Sequence, residues 1–358
     1  MEKLDPEFSS ITKNLVGIES TMVELIPSYL GFGKEVYMLG ICGMGGLGKT
    51  TLARTIYYRH SKNFEGSSFI FNVRERSKGG SLLELQKQLL EQILEESDKK
   101  IWDDCYGADI IKRRLCQKKV LLVLDDVDQV DQLAKLAGDC DWFGLGSWII
   151  ITTRDKRVLV QHEVHSIYKP NVLNYDVALK LFCLKAFKNE QPKDGYMQHS
   201  QEVLKYAEGL PLALVTLGST LFGRKIDEWQ SALDSFKKTK GKIYDILKIS
   251  YDGLEEMWKE IFLDIACFFR MWNEDEVIQI LEICDFTATF VISVLVDRSL
   301  LMVDYYRNLE MHDLLTEMGQ KIIHFESGGK IGKQSRLWLI EDLLHVLEND
   351  MVRKMKKL

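Results

Sequence analysis

"GMGGLGKTT", residues 43–51, fits two incompatible ligand-binding patterns. Gly43, Gly45 and Gly48 match the G-x-G-x-x-G spacing of a dinucleotide-binding turn, while Gly43, Gly48, Lys49 and Thr50 match G-x-x-x-x-G-K-[ST], a phosphate-binding loop. The dinucleotide reading requires an acidic residue at the end of the next strand, about 20 residues on, to hold a ribose. Glu65 has roughly that spacing but precedes the strand-like run "SSFIFNV" and so lies at its wrong end. The phosphate-loop reading finds each of its parts. Lys49 brings a point charge for β- and γ-phosphates, and Thr50 brings a hydroxyl for Mg²⁺. The backbone N–H groups from Gly45 through Gly46 and Gly48 to Thr51 open a helix whose N-terminus favours anions. A plain glycine turn would explain the glycines but not Gly-Lys-Thr-Thr.

Such a loop needs a metal-holding acid on a neighbouring strand. In "KKVLLVLDDVD" the residues Val120 to Leu124 read as a buried strand, which puts Asp125 and Asp126 at its carboxyl end, where open α/β sheets bind ligands. Asp125 is the expected metal ligand beside Thr50, and Asp126 the residue that orients or deprotonates an attacking water. Just past the next strand, "WIIITTRD", Arg154 is placed to sense a γ-phosphate. The expected catalytic group is therefore Lys49, Asp126 and Arg154.

Outward from the loop, "EVYMLGIC", "SSFIFNV", "KKVLLVLDD" and "GSWIIITT" read as strands apolar on both faces, alternating with amphipathic helices. This predicts a doubly wound α/β domain over 15–170, after a linker at 1–14. The pattern then turns helical over 171–240 and ends in the polar linker "KKTKGK" at 237–242. Residues 241–325 hold helices followed by "LLMV" and "LEMH" around "DYYRN", which predicts a winged helix. Residues 326–358 read as a tail.

The chain has 358 residues, 46% hydrophobic and 28% charged, which excludes disorder as the default. No apolar run nears the roughly 18 residues of a membrane span, and "MEKLDPEFSS" lacks a signal-peptide core, so the expected location is the cytosol or nucleus. Seven cysteines without C-x-x-C pairs are expected as reduced thiols. A net charge of -6 argues against nucleic acid as the main partner.

Taken in order, "NLVGIES", "GICGMGGLGKTTLA", "FIFNVRE", "KKVLLVLDDVD", "GSWIIITTRDKRVL", "GLPLAL", "IFLDIACFF" and "MHDLL" resemble the NB-ARC family over residues 14 to 340. This nucleotide-switch module is shared by plant disease-resistance proteins and animal apoptotic protease-activating factors. Asp128 in "LDDVD", "MHDLLTEMGQKI" and "GKQSRLW" resemble the TIR class of plant receptors. The resemblance implies an α/β domain, a helical module and a winged-helix domain that close over ADP at rest and open with ATP, with slow hydrolysis resetting the switch. It further implies that Val16 lies near the adenine, that Gly209, Pro211 and Leu212 pack on the base side, and that His312 reaches the β-phosphate and is oriented by Asp313. Without the family, Gly209–Pro211 reads as a turn in a helical region, and His312 as a helix-start histidine with Asp313 as cap. Partners implied are a TIR domain and leucine-rich repeats, expected to lie outside this chain, and self-association in the active state.

Two other functions fit less of the chain. A housekeeping P-loop ATPase would need a substrate-recognition segment, and none is visible. A winged-helix DNA regulator is disfavoured because residues 241–325 hold 7 Lys+Arg against 16 Asp+Glu, a balance of -9, where phosphate contacts need the opposite sign.

Overall fold

Strands that are apolar on both faces must be covered on both faces, and the sheet shows this residue by residue. A computed structural model describes residues 16–30, 35–78, 82–95, 101–236, 243–283 and 287–348. The linkers expected at 1–14 and 237–242 lie outside the described residues. Five strands, β1 (Tyr37–Cys42), β2 (Gly66–Ile70), β3 (Val120–Val127), β4 (Trp148–Thr153) and β5 (Ser166–Tyr168), pair in parallel in the order β2-β3-β4-β1-β5. On β3, Leu121 and Val123 enter one core while Leu122 and Leu124 enter the other. The first core is built with helices α1 (Ile18–Leu25) and α2 (Lys49–His60). The second receives, beyond the one-turn helix α3 (Val73–Arg76), α4 (Leu82–Leu94), α5 (Asp104–Leu115), α6 (Val130–Leu136) and α7 (Lys156–Gln161). The fold is a doubly wound α/β sheet, as the alternation predicts.

Two local differences from the sequence reading bear on the site. The run "SSFIFNV" stops being a strand at Ile70, because Asn72 takes a left-handed φ of 50° and turns the chain into the short helix α3. The strand β5, only three residues long, carries too little apolar pattern to be read from sequence.

The chain divides into two compact units between Val172 and Leu173. In the second, α8 (Tyr175–Ala186), α9 (Met197–Ala207), α10 (Pro211–Leu221) and α11 (Ile226–Phe236) gather around the buried Trp229, which meets Phe182, Phe187 and Tyr196. Next come α12 (Ile243–Asp252), α13 (Glu256–Asp264), α14 (Glu274–Ile283), α15 (Ala288–Asp297), the antiparallel pair β6 (Met302–Val303) and β7 (Leu309–Glu310), and α16 (Asp313–Glu326). This winged helix has its own apolar core, centred on residues such as Phe262, Ile292 and Leu315. The segment read as a tail contributes α17 (Ile340–Glu348) and the buried Arg336, which pairs with Glu260 and Asp264 of α13. Among the described residues no helix is long and apolar enough to cross a membrane.

Candidate functional site

The turn between β1 and α2 requires glycine where the backbone is left-handed: Gly46 has φ 80° and Gly48, the residue before α2, φ 84°. Gly48 O accepts the Leu52 N–H at 2.9 Å, so α2 starts directly from the loop and its first N–H groups face the loop's concavity. Glu65 bonds instead to the backbone of Lys119 at the amino end of the sheet, away from any ribose position. Lys49 is buried, 7% exposed, and its Nζ donates to Met44 O at 3.0 Å across the loop. Burial first, then the Arg154 charge, pulls its ammonium below the ordinary lysine range, against the opposing pull of Asp126 and Asp125.

The acid pair sits on a bulge. The pairing of β3 with β4 runs in step to Leu124↔Ile151 and resumes at Val127↔Thr153, so Asp125 and Asp126 together face Thr152 alone. Asp126 takes the left-handed φ of 54° that this requires. As a result the two neighbouring carboxylates diverge. Asp125, 1% exposed, accepts at Oδ1 from the hydroxyls of Thr50 (2.8 Å) and Thr152 (2.7 Å). Asp126 donates its N–H to Thr152 Oγ1 at 2.8 Å, and its carboxylate forms ion pairs, Oδ1 with Arg154 Nε at 3.4 Å and Oδ2 with Arg74 Nε at 2.8 Å, the latter without hydrogen-bond alignment. Thr50 and Asp125 thus offer two touching oxygen donors, a hydroxyl and a carboxylate. That is the small hard set Mg²⁺ takes from a protein when phosphates and water complete its octahedron.

The structure therefore brings Lys49, Thr50, Asp125, Asp126 and Arg154 to the carboxyl end of the sheet. The loop backbone of Gly45, Gly46, Gly48 and Thr51 lies beside them, and Val16, half-buried, immediately precedes Gly17, the residue before α1. Sequence reading missed Thr152 and Arg74. Thr152 was legible only as a strand residue. Arg74 follows the end of a strand adjacent to the acid pair, and the rule that ligands gather at strand carboxyl ends could have drawn attention to it.

The remaining residues belong to the second compact unit. Pro211 is the first residue of α10, after Glu208 and Gly209 with left-handed φ of 47° and 72°, so "EGLP" is a helix break with proline at its favoured first position. Leu212 packs on the winged-helix core. At "MHD" the capping expected of Asp313 falls to His312, whose Nδ1 accepts the Leu314 N–H at 3.1 Å. A backbone N–H can only donate, so the neutral ring carries its proton on Nε2. Asp313 opens α16 and pairs with Arg270 Nη2 at 2.7 Å, both side chains largely buried.

Comparison with known proteins agrees with this geometry. The NB-ARC domain matches residues 19–192, and a winged-helix domain described as "Disease resistance protein Roq1-like" matches residues 255–327. TMV resistance protein N of Nicotiana glutinosa is 41% identical over 350 residues, covering 95% of this chain and 30% of that protein. Disease resistance protein RPV1 of Vitis rotundifolia is 44% identical over 327 residues, covering 91% and 23% respectively. The chain thus spans less than a third of the length of either relative. In fold it is similar to a signal-transduction ATPase with numerous domains, bearing a tetratricopeptide-repeat sensor, from Pyrococcus horikoshii. The TM-score is 0.51 at 16% identity, over 94% of this chain and 46% of that one. On its motifs, its sheet and these relatives, the chain belongs to the NB-ARC family of P-loop NTPases, in the TIR-class branch of plant disease-resistance proteins.

Proposed function

We propose that this chain is an ADP/ATP switch of plant disease-resistance signalling, closed with ADP and open with ATP, with slow ATP hydrolysis returning it to rest. The observation that supports this most directly is the cluster Thr50–Asp125–Thr152 with Asp126 and Arg154, set beside a glycine loop that opens a helix. Thr50 and Asp125 would hold a resident Mg²⁺, which would supply positive charge against the phosphates. Lys49 leaves Met44 O for the phosphates, whose charge offsets the burial that depresses its ammonium. Asp126 orients the attacking water, and Arg154 distinguishes ATP from ADP by turning to the γ-phosphate. Val16, Pro211 and Leu212 meet the adenine side, and the Nε2–H of His312 donates to the β-phosphate. The three-domain division at 170 and 240, an address in the cytosol or nucleus, TIR and leucine-rich-repeat partners in cis or in trans, and self-association in the ATP form complete the reading.

The nucleotide that co-purifies with the chain tests it. ADP released on denaturation is the expected result. NAD in its place, or absence of affinity for both ADP and ATP by calorimetry, overturns the reading.

A further inference from the structure

Asp126 is approached from three directions, and of the three residues only Arg154 was singled out in the sequence, as a γ-phosphate sensor. Thr152 holds its backbone N–H, Arg154 approaches Oδ1 from the end of β4, and Arg74 approaches Oδ2 from α3, the helical turn that follows β2. The strand order assigns the two guanidinium groups different tasks. In β2-β3-β4-β1-β5, Arg154 stands on the side of β3 that leads to β4 and the phosphate loop, whereas Arg74 stands on the opposite side, towards β2. The oxygen that Arg154 meets is therefore the one on the nucleotide side. The oxygen that Arg74 holds is the one on the far side.

We propose that Arg74 is a positioning residue for the hydrolysis step: by holding Oδ2 it aims Oδ1 of Asp126 at the attacking water when Arg154 turns to the γ-phosphate. This rests on the role given to Asp126 above and adds a residue to it. Three features suit Arg74 to the task. Its Nε lies 2.8 Å from Oδ2 with the side chain 19% exposed; the N–H is not aligned for a hydrogen bond, so the hold is a charge attraction, shielded from the solvent screening that weakens surface ion pairs. Glu75, also beside this nitrogen, stands farther off at 3.6 Å and is itself engaged by Lys78. Arg74 is also carried on a helical turn fixed by the left-handed Asn72 and by Val73, which is fully buried in the core under the sheet. Losing Arg74 removes the charge held against Oδ2 from the β2 side, so Oδ1 is aimed less firmly at the water.

The test is single-turnover hydrolysis of Mg·ATP by the full chain with protein in excess, alongside ATP affinity measured with a fluorescent ATP analogue. Variants are Arg74→Met, Arg74→Gln and Arg74→Lys, alone and combined with Asp126→Asn, each first checked for an unchanged urea unfolding midpoint. For Arg74→Met and Arg74→Gln the turnover rate is expected to fall by about ten- to a hundredfold, the scale of a misplaced reacting group, with ATP affinity unchanged. Arg74→Lys, which keeps the charge but not the fixed fork, recovers part of the rate. In the Asp126→Asn background the Arg74 substitutions have no further effect. If Asp126→Asn slows turnover while Arg74→Met does not, or if the two losses multiply, the positioning role is overturned and the function above stands. A loss of ATP affinity equal to the loss of rate also overturns it, assigning Arg74 to nucleotide contact. If Asp126→Asn leaves turnover intact, the role of Asp126 fails and this proposal with it.

Discussion

Replacing Thr152 by valine removes one hydroxyl and almost no volume, and that hydroxyl serves both acids of the site. It donates to Asp125 Oδ1 at 2.7 Å and accepts the Asp126 N–H at 2.8 Å, at a residue with no solvent exposure. The first bond is to a carboxylate, a class worth roughly 1.5–3 kcal/mol, and depriving a buried N–H of its acceptor costs roughly 1–3 kcal/mol more. Asp125 keeps the Thr50 donor, so the lower half of the summed range applies, about 3 kcal/mol. Thr152→Ser keeps the hydroxyl and loses one methyl group, worth about 0.8 kcal/mol. The assay is hydrogen exchange by mass spectrometry on the peptide spanning 120–128, which covers β3 and its bulge. Since 1.4 kcal/mol is tenfold, the valine variant is expected to raise local exchange about a hundredfold and the serine variant only about fourfold. Equal exchange in wild type and Thr152→Val, or a serine variant as labile as the valine, refutes the claim that this hydroxyl organises the acid pair.

Lys49→Ala is expected to weaken ADP binding by about tenfold or more, the loss of one charge-assisted contact, and unchanged affinity in calorimetry would remove Lys49 from the phosphate site. Asp313→Val strands the buried Arg270 and disturbs the start of α16 beside His312, so ADP release is expected to accelerate by roughly 5- to 150-fold; equal off-rates in stopped flow would make the motif packing alone. Arg336→Met removes the shielded cation that faces Asp264. Because Glu260 stays half-hydrated, the expected cost is near 3 kcal/mol, the low end for breaking a buried pair, and is read as faster proteolysis after Ser327. Cleavage there at the wild-type rate would show that Arg336 does not dock this segment.

The strands, the loop and the acid pair are legible in the sequence because each is marked by a pattern a few residues long. Left-handed turns need glycine at Gly46 and Gly48, the β3 residues must be apolar on both faces, and a lysine and a threonine must follow the loop directly. The family resemblance came from the same local strings. Which partners meet the acids follows from the fold. Asp125 and Asp126 are adjacent in sequence, yet the bulge against β4 turns one to Thr50 and Thr152 and the other to Arg74 and Arg154. Those partners lie on three separate segments, brought together by strand order, and no local spacing encodes strand order. The same holds at "MHD", where Arg270, 43 residues earlier, takes Asp313 as its partner and leaves the cap to His312. A helix cap can be anticipated from its neighbours in sequence, but which neighbour serves is settled by whichever side chain a distant charge has already engaged.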